Sequence, residues 1–259
     1  AFRAAVAAWE AQGVLARWDA ASRSDADPAF VGVPGMNGPI RAMAENLGEA
    51  GGEVLWGTRV ERLARDEGGD WEIEAGDDRY SADAVLVAVP AEQATDLLKD
   101  AAPDLSEIAG GVTSAPCWAV MASFAAPLPV AADTLRDEHA PIAWAARNSA
   151  KPARAERECW VLHASPARSR ELLDVDKEEV AARLVADFFA QAGVDPVAPI
   201  HLAAHRWLYA QPASLEGDPA RFDPERRIGI AGDYLHSPRV EGAWLSGTAL
   251  AERVLAATG

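Results

Sequence analysis

The segment Arg227-Ile-Gly-Ile-Ala-Gly-Asp233, followed by Arg239-Val-Glu-Gly-Ala-Trp-Leu-Ser-Gly247, decides the fold of this chain. The first stretch is apolar and ends in Gly232-Asp233, which is typical of a buried strand that ends in a sharp turn. The second stretch opens a predicted helix from Gly242 to Ala257. A strand, a turn and a helix in this order indicate α/β architecture at this end of the chain.

This turn is a candidate ligand site. An ionised Asp233 can accept charge-assisted hydrogen bonds from ribityl or ribose hydroxyls. The helix that opens at Val240 to Ala243 would direct unpaired backbone N–H groups and its positive dipole end at a bound group, and a reduced flavin ring carries negative charge. Gly242 and Ala243 would leave room for a flat ring. The pattern equally allows an ordinary strand-to-helix connection in which small residues serve packing.

The first half of the chain continues the α/β pattern. Helical periodicity predicts an opening helix from Phe2 through Val14 and a second helix from Ile40 to about Ala50, and residues 22–28 read as a polar loop. The stretch Ala84 to Val89 is apolar on both faces, which predicts a strand buried within a parallel sheet. Other predicted elements are a strand at Glu53 to Trp56, an antiparallel meander over 59–66, 70–75 and 79–82, and a helix at Gln93 to Leu98.

From about residue 100 to 224 the pattern changes. Longer antiparallel strands are predicted at 117–124, 142–147, 158–164 and 200–209, with an amphipathic helix at Lys177 to Ala192. We therefore expect an α/β chain with two interleaved domains. Residues 32–99 and 225–259 would form one α/β domain, and residues 1–31 and 100–224 would form a second, antiparallel domain with α+β character.

Bulk composition excludes several functions. With 24 basic and 40 acidic residues, the net charge of −16 opposes binding of nucleic acid. The motifs of serine hydrolases and of phosphate-binding loops are absent from the sequence, and His201 and His205 lack the glutamate of a helical zinc motif. We expect no metal site. Cys117 and Cys159 lie in strand-like stretches, which favours free thiols and a reducing compartment. Without a long apolar run or a signal peptide, we expect a cytoplasmic protein without a membrane partner.

Six segments together resemble the flavin amine oxidase superfamily, and within it the bacterial renalase branch. They occur in the family's order: Val33-Pro-Gly-Met36, Val85-Leu-Val-Ala-Val-Pro90, Ala143-Trp-Ala-Ala-Arg-Asn-Ser-Ala-Lys-Pro152, Trp160-Val-Leu-His-Ala164, Ala204-His-Arg-Trp-Leu-Tyr-Ala210 and Arg239 to Gly247. The family's Gly-x-Gly-x-x-Gly fingerprint, which holds the FAD pyrophosphate, is absent here, since Gly32, Gly35 and Gly38 are spaced three and three. The resemblance therefore implies that the numbering starts after that fingerprint.

The resemblance also implies a cofactor and its contacts. It implies a fold of the hydroxybenzoate-hydroxylase type with noncovalent FAD, in which residues 32–99 and 225–259 are a partial, Rossmann-like FAD-binding domain and residues 1–31 and 100–224 are the substrate domain. Val60 would lie at the adenine end on a strand, Asp233 would meet the ribityl-pyrophosphate region, and the opening of the last helix would lie under the pyrimidine edge of the flavin. For Val60 and Val89, core packing is the alternative. The predicted cofactor contacts are Val60, Ala88, Pro90, Gly232, Asp233, Arg239, Val240, Glu241, Gly242 and Ala243.

The stretch Ala204 to Ala210 is the best candidate for a substrate wall. As a strand it would place His205, Trp207 and Tyr209 on one face, where a planar substrate can stack. A core ladder of aromatic side chains is the alternative interpretation. Arg147, together with Asn148 and Lys151, forms a polar cluster suited to phosphate or carboxamide groups, or else an ordinary surface loop.

The resemblance implies oxidation of the 2- and 6-dihydro isomers of NAD(P) to NAD(P)⁺, with electrons passing through FAD to molecular oxygen to give H2O2. Because the flavin carries the chemistry, we expect no indispensable acid or base side chain. Two alternatives remain: a flavin amine oxidase or desaturase with another substrate, and a truncated, noncatalytic flavoprotein.

Overall fold

The computed structural model of the chain describes residues 1–22, 24 and 28–258. It forms two compact units, each made of several segments: residues 1–2, 55–115 and 209–259 in the first, and residues 3–54 and 116–208 in the second. This division differs from the predicted domains at residues 32–54, which lie in the second unit, and at residues 1–2, 100–115 and 209–224, which lie in the first. Most of the predicted polar loop at 22–28 falls outside the described residues.

The helices and strands alternate in a mixed α/β order. The strands are β1 (Leu15–Arg17), β2 (Phe30–Gly32), β3 (Arg62–Arg65), β4 (Trp71–Ala75), β5 (Asp78–Ala82), β6 (Val85–Val87), β7 (Ser114–Ser123), β8 (Thr134–Arg136), β9 (Ile142–Arg147), β10 (Cys159–Ala164), β11 (His201–Pro212), β12 (Ala220–Asp223) and β13 (Ile228–Ala231). The helices are α1 (Phe2–Ala11), α2 (Gly38–Glu49), α3 (Ala91–Leu98), α4 (Pro103–Gly110), α5 (Pro166–Glu171), α6 (Lys177–Ala192) and α7 (Val240–Thr258), with single 3-10 turns at Asp19–Ala21, Asn148–Ala150 and Asp233–Leu235.

The first unit contains a three-stranded sheet in the order β12-β13-β6. β13 pairs in parallel with β6 and antiparallel with β12, which confirms the predicted parallel arrangement of the two apolar stretches. One face of this sheet packs on α3 and α4 through Val85, Val87, Ile228 and Ile230. These β-branched residues fit a pleated, buried surface, so the sequence and the core agree.

The prediction that β6 is buried on both faces is wrong for Leu86, which is 45% exposed. Leu86 is the cross-strand partner of Gly229, and the side of Gly229 on which a Cβ would project faces Leu250 of α7. α7 packs over β12 and β13. β6 lies one strand beyond them, and its outer face is left without that cover.

A second sheet of the first unit is the meander β3-β4-β5, as the alternating runs predict. Trp71 of β4 is buried in the core of this unit, and its indole N–H donates to the Arg226 carbonyl oxygen at 2.9 Å. The predicted strand at Glu53 to Trp56 is wrong, since these residues form a loop that turns at Gly57, with φ of 72°. Trp56 is exposed there, and an extended stretch without a pairing strand does not form a ladder.

The second unit is built on a five-stranded antiparallel sheet in the order β11-β7-β10-β9-β8. The predicted helix α6 covers one face of it, where Leu184 and Phe188 pack on Trp160 and Leu162. The Asp176 carboxylate caps α6 by accepting from the Glu178 N–H at 3.0 Å, and Gly193 ends the helix in the left-handed conformation. β1 and β2 form a separate two-stranded ladder in this unit.

Candidate functional site

Two predicted cofactor segments meet at the carboxyl ends of β6 and β13 in the first unit. The parallel register aligns Ile228 with Val85 and Ile230 with Val87, so the strands end side by side. Ala88 to Pro90 therefore follows β6 at the same edge where Gly232-Asp233 follows β13. Ligands of open α/β sheets bind in the crevice outside such carboxyl ends, which makes this edge the first candidate site.

The Gly232-Asp233 turn is held by α7. The Gly232 N–H donates to the buried Ser246 hydroxyl oxygen at 2.9 Å, and that hydroxyl donates in turn to the Pro219 carbonyl oxygen at 2.5 Å. A Cβ on Gly232 would collide with the Tyr234 ring, so glycine is required for packing. The sequence pattern did not single out Ser246, because a serine in a small-residue helix carries no sign of its partner.

Asp233 lies partly buried at this edge. Burial raises the pKa of its carboxyl group, and hydrogen bonds from the Tyr234 N–H and its own N–H oppose that rise only in part. Burial and the neighbouring Asp233 raise the pKa of Tyr234 to about 12. A carboxylate that has lost hydration without a cationic partner is suited to accept hydrogen bonds from a hydroxyl-rich ligand.

The N-terminus of α7 is open to solvent. Val240 is 72% exposed, and Arg239, Glu241 and Ala243 are exposed with it. The first N–H groups of a helix have no acceptor within it, so they can bind an anionic or electron-rich group. Gly242 was expected to leave room for a flat ring, but the structure fills that space with protein. A Cβ at Gly242 would collide with the Ser237 carbonyl oxygen. Gly242 lets the preceding loop pack against the helix, while Ala243 faces outward.

Val60 does not lie on a strand as predicted. It lies in the loop before β3 and is partly exposed, which also argues against the core-packing alternative. Val89, for which the same alternative was considered, is likewise exposed in the loop after β6. Their contacts with a cofactor stay predictions.

The predicted substrate wall is an exposed strand face. In the second unit, His205 and Trp207 lie on one face of β11 with ring centroids 4.3 Å apart and their planes tilted by 63°. Trp207 is 57% exposed, which excludes a core ladder at this position. Tyr209 follows two residues later on the same strand and is exposed as well. On the alternate face, Leu202 and Ala204 pack against the core beneath α6.

Arg147 has protein partners on all three of its guanidinium nitrogens. Nη1 contacts Asp133 Oδ1 at 2.5 Å, Nε contacts Glu158 Oε1 at 3.2 Å, and Nη2 donates to the Val130 carbonyl oxygen at 2.8 Å. Its guanidinium also lies 4.9 Å from the centre of the Trp160 ring. These contacts are those of a structural ion pair, and substrate binding by Arg147 stays a prediction without support from its geometry.

Both cysteines are free thiols, as the sequence predicts. Cys117 is buried in β7, and burial raises the pKa of its thiol to about 11. A protonated thiol is a poor nucleophile, so Cys117 is a packing residue of the sheet.

Residues 14–255 match the family described as flavin containing amine oxidoreductase. The chain belongs to this family. The family is defined by a flavin, which confirms the predicted cofactor, FAD. The edge formed by β6, β13 and α7 fits part of that group. It offers the first N–H groups of α7, at 240–242, which precede the first intrahelical bond, from the Ala243 N–H to the Arg239 carbonyl oxygen, and a carboxylate with no cationic partner among the described residues.

Solved structures show the same fold at low sequence identity. One is a protein from Exiguobacterium sp. 255-15 assigned provisionally as a protoporphyrinogen oxidase (TM-score 0.66, 17% identity, covering 90% of this chain and 53% of that one). A second is cyclohexylamine oxidase from Brevibacterium oxydans IH-35A (0.62, 14%, 91% and 55%). A third is wild-type putrescine oxidase bound to putrescine (0.60, 18%, 89% and 54%). This chain thus spans about half the length of each, and none of them singles out the renalase branch.

Two glycines of α7, Gly242 and Gly247, allow a matched test of whether Gly242 is needed for packing at the start of the helix. Gly242→Ala should destabilise the fold by about 1–3 kcal/mol, because its Cβ overlaps the Ser237 backbone. Gly247→Ala should stabilise it by about 0.5–1 kcal/mol, because that position is mid-helix with open space around it. Chemical denaturation measures both, and equal effects from the two substitutions would contradict the packing role of Gly242.

Asp233→Asn should raise the stability of the ligand-free protein at neutral pH. The native carboxyl has a raised pKa, so ionisation costs the native state stability as pH rises above the unfolded value of 3.8. The advantage of the asparagine variant should therefore shrink as the solution is acidified. Asp218→Asn is the control of opposite sign, because its hydrogen bond from Arg253 lowers the pKa of that carboxyl. Unfolding curves measured across pH test this difference. If both variants change the free energy of unfolding in the same direction, the raised pKa of Asp233 is refuted.

Arg147→Met should destabilise the protein by about 3 kcal/mol, because it leaves Glu158 buried and unpaired. The double variant Arg147→Met with Glu158→Gln removes the stranded charge, keeps an acceptor for the Trp160 indole N–H, and should recover much of the loss. Thermal unfolding of both variants measures this. Unchanged stability of the single variant would instead favour Arg147 as a residue free to bind substrate.

Proposed function

We propose that this protein oxidises the 2- and 6-dihydro isomers of NAD(P) to NAD(P)⁺ and passes the electrons to molecular oxygen, giving H2O2. The observation that carries the proposal is the exposed ring face of His205 and Trp207 on β11. The Trp207 ring offers a flat, partly apolar surface for a nicotinamide ring, and the His205 ring stands at its edge. The six segments that resemble bacterial renalase, which occur in the same order as in that family, suggest dihydronicotinamides as the substrate class.

The proposed cofactor contacts lie in the first unit. Asp233 accepts hydrogen bonds from hydroxyls of the ribityl and ribose region. The α7 N–H groups of Val240, Glu241 and Gly242 face the pyrimidine edge of the flavin, and Ala243, whose N–H donates to the Arg239 carbonyl oxygen, lies beside it. Ala88 and Pro90 lie beside the cofactor, and Val60 lies near its adenine end. Bound FAD supplies hydride acceptance and the return of electrons to oxygen.

The side chains of the chain bind and orient rather than exchange protons. His205 and Trp207 hold the dihydronicotinamide ring. Because hydride transfer needs no protein acid or base, we assign no catalytic residue. In this proposal the first unit is the FAD-binding domain of a hydroxybenzoate-hydroxylase-type fold, the second unit binds substrate, and the protein works in the cytoplasm.

Amine oxidation is the second candidate. The family description names amines, and one of the similar structures is an oxidase bound to putrescine. Exposed aromatic rings such as Trp207 and Tyr209 can bind a cationic amine through their faces. The net charge of −16 would also attract a cation.

Anaerobic spectroscopy on the flavin-loaded protein tests the proposal. The absorbance at about 450 nm of the oxidised flavin should bleach when 6-dihydro-NAD is added, and should return on exposure to air with release of H2O2. Ordinary 4-dihydro-NAD is the matched control for the isomer, and cyclohexylamine and putrescine are the controls for amine oxidation.

Each other outcome selects an alternative. Bleaching by an amine but not by 6-dihydro-NAD would replace the proposal with amine oxidation. A protein that takes up no flavin under any condition would indicate a noncatalytic relative. Bleaching by 4-dihydro-NAD at the same rate would refute the isomer preference.

A further inference from the structure

The five-stranded sheet of the second unit has one face that α6 does not cover. Trp118, Val120 and Leu162 face α6, so their neighbours in the strands face the other way. On that side, His163 of β10 pairs with Ala119 of β7 and with Trp144 of β9. His205 and Trp207 of β11 share this side, because Leu202 and Ala204 face α6. We call this surface, from His205 and Trp207 to His163 and Trp144, the open face. Its β9 end is covered, where Trp144 packs against Trp18 and Val31.

A lysine lies at the far end of the open face from β11. Lys151 follows the turn after β9, and its Nζ lies 5.5 Å from the centre of the Trp18 ring. Lys151 is half-buried, and burial, followed by the charge of Arg154, lowers its pKa. Burial and the nearby charge of Lys151 lower the pKa of His163, so this histidine is held neutral beside the ammonium group.

The charge of Lys151 has no carboxylate partner in the described part of the chain. The neighbouring Arg154 does not bring a carboxylate to this position, because its guanidinium donates to backbone carbonyl oxygens, including that of Gly32 at 2.9 Å. By contrast, Arg147 and Arg168 each contact two carboxylates. Among the described residues, Lys151 and Arg154 therefore lie together without an anion, although the chain has 40 acidic side chains. Such a local field concentrates an anionic ligand.

We propose that Lys151 binds a phosphate group of the substrate whose ring lies on His205 and Trp207. The proposal rests on the proposed function, since it assigns the diphosphate of the dinucleotide to this position. β11 and β9, the strand that Lys151 follows, are three strand spacings apart, or about 14 Å, a span that an extended dinucleotide can bridge between the aromatic wall and the lysine. The neutral His163 provides a hydrogen-bonding group along that path, and the ring face of Trp18 holds the Lys151 side chain in place.

Selective acylation of lysines tests the anion site without any turnover. Lys99, Lys151 and Lys177 are the lysines of the chain, and Lys99 and Lys177 are exposed. Saturating inorganic pyrophosphate should slow acetylation of Lys151 by about tenfold, measured by peptide mass spectrometry on the full chain, and should leave Lys99 and Lys177 unaffected. Acetylation of Lys151 at the same rate with and without pyrophosphate would overturn the proposal.

Steady-state kinetics on the flavin-loaded protein then assigns the site to the substrate. The ratio of kcat/KM for 6-dihydro-NAD to kcat/KM for the phosphate-free dihydronicotinamide riboside should fall about tenfold or more in Lys151→Met, through KM for the dinucleotide. Lys151→Arg should recover most of the ratio, and Lys177→Met should keep it. A ratio in Lys151→Met equal to that of the wild type would refute the role.

Lysine acetylation and steady-state kinetics together distinguish a failure of the proposed function from a failure of the Lys151 anion site. If the wild type oxidises neither dihydronicotinamide, the proposed function fails, and protection by pyrophosphate still decides the anion site. If the wild type oxidises both with no preference for the dinucleotide and pyrophosphate gives no protection, the function stands and the anion site fails. If Lys151→Met does not fold, acetylation of the wild-type protein decides.

Discussion

The parallel pairing of β6 with β13 is the constraint on which the first candidate site depends. These strands are far apart in the chain, and their register alone places the turn after Gly232 beside the loop at Ala88 to Pro90. Gly229 fixes the position of β13 beneath α7 and beside β12, because a Cβ at this position would lie 2.6 Å from Leu250 Cδ1 and 2.7 Å from the Arg221 carbonyl oxygen. A slip by one residue would bring Ile228 or Ile230 under α7, where no side chain of that size fits.

The partly or fully buried charged groups of this chain are of two kinds, those with an oppositely charged partner and those without one. Arg147 and Glu158 offset each other's loss of hydration, and the Trp160 indole adds a hydrogen bond to the same carboxylate at 2.8 Å. Asp233 and Lys151 are partly dehydrated as well, but each lacks an oppositely charged partner among the described residues. A desolvated charge without a partner lowers the free energy of unfolding, so a benefit outside folding is the physical reason to keep it. This contrast separates structural from ligand-binding candidates more clearly than residue type does.

Sequence patterns predicted which segments form helices and strands better than they predicted what packs against each segment. The apolar runs of β6 and β13, the meander and α6 were all confirmed, because periodicity reflects which face of an element is buried. The same periodicity does not say what covers a face, and so it missed the exposure of Leu86 and the loop at residues 53–56. Arg147 resembled a binding residue because its partners, Asp133 and Glu158, are identified only once β8, β9 and β10 are paired.

The two faces of the five-stranded sheet divide stability from recognition. The face beneath α6 carries Trp160, Leu162, Leu184 and Phe188 with almost no exposed surface, so substitutions there change the free energy of unfolding. On the open face, Trp207 leaves most of a large ring in solvent and Lys151 stays half-buried with no carboxylate partner among the described residues, although neither arrangement stabilises the sheet. His205 and Trp207 can therefore change without repacking the core, whereas Trp144 on the same face packs against Trp18 and Val31. A family that keeps one fold and one flavin while its members differ in substrate needs a surface of this kind, and His205, Trp207 and Lys151 are the positions where this chain differs from a surface optimised for stability.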